Sequence, residues 1–168
     1  MKLILVILMS IAISNCGFKP ILAKNAAGYK VLTEVKIVRV EGPERFSLQR
    51  YVDEIFESDL RNNARYEVKL KFNFNTDAIG VMNDTQITRY RVTSILNYNM
   101  ISSESNKIVN EGEISLNGSY DASNSDFANY VAERKVTEEL TKELTKELVG
   151  RLSLIIADIE GVDGKTSP

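Results

Sequence analysis

With 21 Lys and Arg against 23 Asp and Glu, the 168-residue chain has a formal charge of −2, so it carries no overall positive field to gather nucleic acid. It has no histidine, no tryptophan and one cysteine, which excludes Ser-His-Asp and Cys-His catalysis, zinc centres built on His or Cys, and His-ligated haem. Carboxylate chemistry is what remains, and the densest acidic group, Glu138, Glu139, Glu143 and Glu147, is interleaved with Lys142 and Lys146 in the pattern of a solvated helix face. The nine glycines are scattered and form no phosphate-cradling fingerprint. The expectation is a protein that is not an enzyme and holds no metal or cofactor.

Met1 and Lys2 precede an apolar run from Leu3 to Ile13, which matches an export signal and is too short to span a bilayer comfortably. The run leads through Ser14 and Asn15 to Cys16, the sole cysteine. An unpaired thiol is a liability in an oxidising compartment. A cysteine placed directly after a signal is where a diacylglycerol group is attached, and several acyl chains hold where one does not, at about 0.8 kcal/mol per buried methylene. Residues 1–15 thus read as a lipoprotein signal peptide and Cys16 as the lipid-attachment residue. The remainder is a single domain of about 150 residues, tethered to a membrane and not spanning it. Residues 16–33, with Pro20 and the turn-like Asn25-Ala26-Ala27-Gly28, form a lead away from the lipid.

Glu34 to Val40 is a short β-branched strand ended by Gly42-Pro43. Ser47 is placed as a helix N-cap, with Phe46 and Tyr51 as a hydrophobic staple, and Leu48, Tyr51, Val52, Ile55, Phe56 and Leu60 make one apolar stripe. Asn62-Asn63 stops that helix. Tyr66 to Asn75 alternates, with Tyr66, Val68, Leu70, Phe72 and Phe74 on one side and Glu67, Lys69, Lys71 and Asn73 on the other. Thr85 to Ser102 repeats the pattern, with Ile87 and Ile95 as exceptions on the polar side, and Lys107 to Tyr120 continues it. Ser103 to Asn106 predicts a hairpin turn, whereas Thr76 to Asp84, containing Gly80, reads as a looser loop.

Ser125 or Asp126 caps a long helix with Phe127, Tyr130, Val131, Val136, Leu140, Leu144, Leu148, Leu152, Ile155, Ile156 and Ile159 on its apolar side. A spacing of four exceeds 3.6 residues per turn, so the stripe winds slowly about the axis. That suits a helix lying obliquely over a twisted sheet better than a coiled coil. At roughly 50 Å the helix is longer than a small sheet covers, so its end is expected to project or to meet a partner. Residues 161–168 read as a disordered polar tail. The sum is an α+β two-layer sandwich over residues 34–160: a mainly antiparallel four-stranded sheet covered by two helices, in the order β-α-β-β-β-α.

Cys16-Gly17-Phe18-Lys19-Pro20, this order of elements, and a last helix containing Phe127-Ala128-Asn129-Tyr130-Val131-Ala132-Glu133 and Arg151-Leu152 together resemble the LptE family of lipopolysaccharide-assembly lipoproteins, in particular its alphaproteobacterial branch. The resemblance runs over nearly the whole chain, with Ile21-Leu22 standing where that branch often has Leu-Tyr. It implies a lipoprotein of the cell outer membrane that plugs the β-barrel LptD and supports its assembly in lipopolysaccharide transport to the outer leaflet, without catalysis. Gly17, in the position where aspartate retains lipoproteins in the inner membrane, fits that destination.

Lys69, Lys71, Arg89 and Arg91 lie on the polar sides of two strands and are candidate contacts for lipopolysaccharide phosphates. The plain alternative is a solvated strand face. Two other functions stay open. One is an accessory lipoprotein of a periplasmic ABC-type lipid-transport complex. The other is a carboxylate-dependent cell-wall hydrolase, for which the chain offers no isolated acid in an apolar setting.

Overall fold

The computed structural model describes Val31 and residues 33–43, 45–56, 64–81 and 87–163. The signal segment, Cys16, the lead up to residue 30, Leu60, Asn62-Asn63 and residues 164–168 lie outside the described residues. The elements are β1 (Val35–Glu41), α1 (Arg45–Phe56), β2 (Tyr66–Val81), β3 (Ile87–Ser102), β4 (Ile108–Asp121) and α2 (Asp126–Asp163), the α+β order read from the sequence. The sheet runs β1-β2-β3-β4. β2, β3 and β4 are antiparallel neighbours, and β1 lies parallel to β2, as a strand joined through a helix crossover can.

Alternation puts Val68, Leu70 and Phe72 of β2, Val92, Leu96 and Met100 of β3 and Ile114 of β4 on one buried face. All of these except Val92 meet Leu48, Val52 and Phe56 of α1 and Leu144, Leu148, Leu152 and Ile156 of α2 in the core. Along α2 the buried positions come in pairs four apart, Leu140-Thr141, Leu144-Thr145, Leu148-Val149 and Leu152-Ser153, the winding stripe laid on the sheet. The buried hydroxyls stay inside their own helix: Thr141 donates to the Thr137 carbonyl at 2.8 Å, Thr145 to the Thr141 carbonyl at 2.8 Å and Ser153 to the Gly150 carbonyl at 2.7 Å. Each burial therefore leaves no donor unmet.

The turn from β1 into α1 requires Gly42, whose φ is +145° and whose absent Cβ would stand 2.9 Å from the Phe72 carbonyl oxygen. That turn starts the helix at Arg45, two residues before the expected Ser47 cap. The β3–β4 hairpin closes as predicted, with Asn106 donating to the Ser102 carbonyl at 2.9 Å and Ser102 to the Lys107 carbonyl at 2.9 Å. Ser125 caps α2 by accepting from the Ala128 amide at 3.3 Å.

Three expectations are corrected. Thr76 to Val81 is strand, not loop, because β3 supplies partners for it as far as Val81↔Ile87, with irregularities on either side of Gly80. The sheet is therefore about 50 Å long at 3.3 Å per residue and nearly matches the 38 residues of α2. The far end of α2 does not project: Ile156 is buried, and Glu160 pairs with Arg65 at 3.3 Å. The uncovered part is the beginning, where Phe127 is 76% exposed, Tyr130 53% and Val131 48%. Residues 161–163, read as tail, belong to the helix.

Beneath that beginning, Tyr90 and Tyr120 stack with ring centroids 5.2 Å apart. The Tyr120 phenol titrates above its ordinary range, raised first by burial and then by the charges of Glu133 and Tyr90. No helix among the described residues is long and apolar enough to cross a membrane.

Candidate functional site

Both helices pack on one face of the sheet, so the other face is formed by the opposite parity of each strand. The register sets it out in rows: Lys69–Asn99–Glu111, Lys71–Asn97–Glu113, Asn73–Ile95–Ser115, Asn75–Thr93–Asn117 and Asp77–Arg91–Ser119. Its middle is amide and hydroxyl around Ile95. Thr93 donates to the Asn117 side chain at 2.8 Å and Asn75 to Asp77 at 2.7 Å. Charge is confined to the ends and edges of this face.

The antiparallel register divides the four cations singled out in the sequence. Lys71 stands opposite Asn97, and Arg91 opposite Asp77, six residues further along β2, so the two pairs are separated by about 20 Å. Arg89 is neutralised by Asp121, which accepts from its Nε at 2.9 Å and its Nη2 at 2.8 Å. Lys69 and Lys71 form no ion pair among the described residues.

Arg39, which sequence reasoning missed, joins the two lysines. β1 pairs Arg39 with Lys69 and Glu41 with Lys71, and these residues with Asn97 and Asn99 line a shallow recess of about 200 Å³. Arg39 is held by Glu41, so three cations share one acid. Such a recess can accept a phosphate through charge-assisted hydrogen bonds, Arg39 as a fork and the lysines as point charges. The parity of β1 was visible in the sequence; the side of the sheet on which β1 would pair was not.

The acidic run of α2 forms helix-surface pairs, Arg134–Glu138 at 3.4 Å, Lys146–Glu143 at 2.8 Å and Arg151–Glu147 at 3.9 Å. Among the described residues no group of three acidic, His or Cys side chains is placed to hold a metal ion.

No protein-family model matches the chain, and no curated protein matches it. Solved structures share its fold. A candidate lipoprotein from Caulobacter crescentus CB15 superposes with a TM-score of 0.59 at 18% identity, over 85% of this chain and 100% of that one. Rare lipoprotein B from Shewanella oneidensis gives 0.62 at 11% identity, over 74% and 98%. An uncharacterized lipoprotein B from Nitrosomonas europaea gives 0.58 at 9% identity, over 74% and 84%. At these identities the likeness is one of architecture.

Proposed function

We propose that this chain is an outer-membrane lipoprotein, anchored through Cys16, that fills the lumen of an LptD-like β-barrel and supports barrel assembly in lipopolysaccharide transport. The observation that carries the reading is the one-sided sheet. One face is packed by both helices, and the other is a polar platform about 50 Å long, about 14 Å wide across β2 to β4 and about 19 Å wide where β1 joins, with an amide-rich centre. A barrel lumen is polar and wet, and a surface of this kind meets it by hydrogen bonds and bridging water instead of by apolar burial. The lipoproteins that share the fold support the lipoprotein part of the reading, and the Cys16-Gly17-Phe18-Lys19-Pro20 segment supports the LptE part.

Within this reading the Arg39–Lys69–Lys71 recess contacts a lipopolysaccharide phosphate, while Arg89, held by Asp121, does not. The test is affinity purification from detergent-extracted outer membranes of a chain carrying a photo-crosslinking residue at Asn117, in the middle of the open face. A near-stoichiometric large β-barrel crosslinked through that position is the expected result, and purification without any barrel overturns the reading. Lys71→Glu is expected to lower lipopolysaccharide retention several-fold and Arg89→Glu to leave it unchanged. Equal retention by Lys71→Glu and the native chain removes the recess from the reading.

A further inference from the structure

A groove of about 290 Å³ lies where the first turns of α2 pass over β2, lined by Pro43, Leu48, Tyr51, Phe74, Tyr130 and Thr137 among others. Three observations bear on what enters it. β1 pairs with β2 only from Tyr66 to Lys71, while β2 runs on to Val81 against β3. Asn73–Ala78 therefore has a ladder on its β3 side, and among the described residues no strand continues β1 along its other side. The chain leaves that line at Gly42, where no Cβ fits beside the Phe72 carbonyl.

The groove is also apolar where it is open, since Phe74 is only half-buried and Tyr130 is more than half exposed. Its charged walls are already engaged. Arg134 pairs with Glu138 at 3.4 Å, and Glu133 accepts from the Thr76 hydroxyl. The complement to such walls is an uncharged occupant.

We propose that this groove takes an extended, uncharged segment of a partner polypeptide, which adds as a strand along Asn73–Ala78 and sets alternate apolar side chains against Phe74 and Tyr130. The added strand continues the interface that β1 already makes with β2, one strand-end further up the sheet. Main-chain hydrogen bonds supply affinity in this mode and the groove supplies side-chain selection. The irregularity between Ala78 and Gly80 ends the usable edge at about six residues, because a bulge twists the ladder out of line. The inference stands apart from the barrel reading: it requires a partner strand from any protein and makes no use of Cys16 or the open face.

The test uses the full chain and a soluble synthetic peptide of alternating valine and threonine, with a lysine at one end and a glutamate at the other. Amide hydrogen exchange at residues 73–78 is monitored by NMR. Alternate amides in that stretch are expected to slow about tenfold or more on saturation with peptide. Thr137→Trp, which fills the groove, is expected to abolish the slowing, and Thr137→Ser to retain it, so a folding failure of the larger variant does not decide the outcome. Absence of slowing in the native chain, or slowing produced by sodium decanoate but not by the peptide, overturns the proposal.

Discussion

The lower and upper halves of the sheet are made of the same alternating strands but are covered differently. Below, β1 widens the sheet and α1 joins α2 over it. Val35, Val52, Phe56, Val68, Met100, Leu148 and Leu152 are essentially inaccessible there, and Arg65 bridges Glu34 at 3.7 Å and Glu160 at 3.3 Å across the end. Above, β1 has ended, α1 meets α2 through Leu48 and Tyr51 at the groove they share with Tyr130, and Phe127, Tyr130 and Val131 remain in water. Full burial is concentrated in the lower half, while exposed apolar side chains occur in both, Phe127, Tyr130 and Val131 above and Leu154 and Ile108 below. The upper end can therefore be altered without dismantling the lower, because local stability tracks local packing.

The strongest way to break this comparison is to truncate one residue in each half. Leu148→Ala is expected to cost about 2–5 kcal/mol in urea unfolding, and Phe127→Ala to change stability by no more than about 0.5 kcal/mol. Equal losses would show that the upper half is as much core as the lower.

A second substitution sharpens the boundary between them. A Cβ at Gly118 would stand 2.5 Å from Val136 Cγ1 and 3.3 Å from Leu140 Cδ1, so the helix lies close on β4 there. Gly118→Val is expected to cost about 1–3 kcal/mol through overpacking, and Val136→Ala in the same chain to recover part of it. Non-additivity in that double-mutant cycle is the readout.

The smallest effect is electrostatic. Because the folded state holds the Tyr120 proton more tightly than an unfolded chain does, its contribution is present below the ordinary tyrosine range near 10 and is lost as pH rises through the higher folded value. Glu133→Gln is expected to bring the phenolate absorbance midpoint down and to soften the alkaline fall in melting temperature. An unchanged midpoint would leave burial and Tyr90 as its causes.

Much of the lower half was legible because its signals are local. Period-two alternation marked the faces of β2, β3 and β4, and Ser103–Asn106 announced its hairpin. What the sequence could not show was set by partners distant along the chain. Thr76–Val81 carries loop-like residues, Asp77 and Gly80 among them, and becomes strand only because Ile87–Val92 lies beside it. The parity of Lys71 and Arg91 revealed their face but not their separation, which depends on register. Phe127 and Val131 fall on the helix row that continues through exposed Lys135, Glu139 and Glu143, and Tyr130 on the row through exposed Arg134 and Lys142, so α2 turns them away from the sheet, a division that reading them into one apolar stripe did not show.

The parallel alignment of β1 has a kinetic consequence. β2, β3 and β4 can zip as successive antiparallel neighbours, whereas β1 must wait for an edge of β2 to exist and reach it across α1. In a chain made from its N-terminus, the first of the described strands to be synthesised is thus expected to be the last seated. The same strand is the one whose release would reopen the sheet while leaving the meander intact.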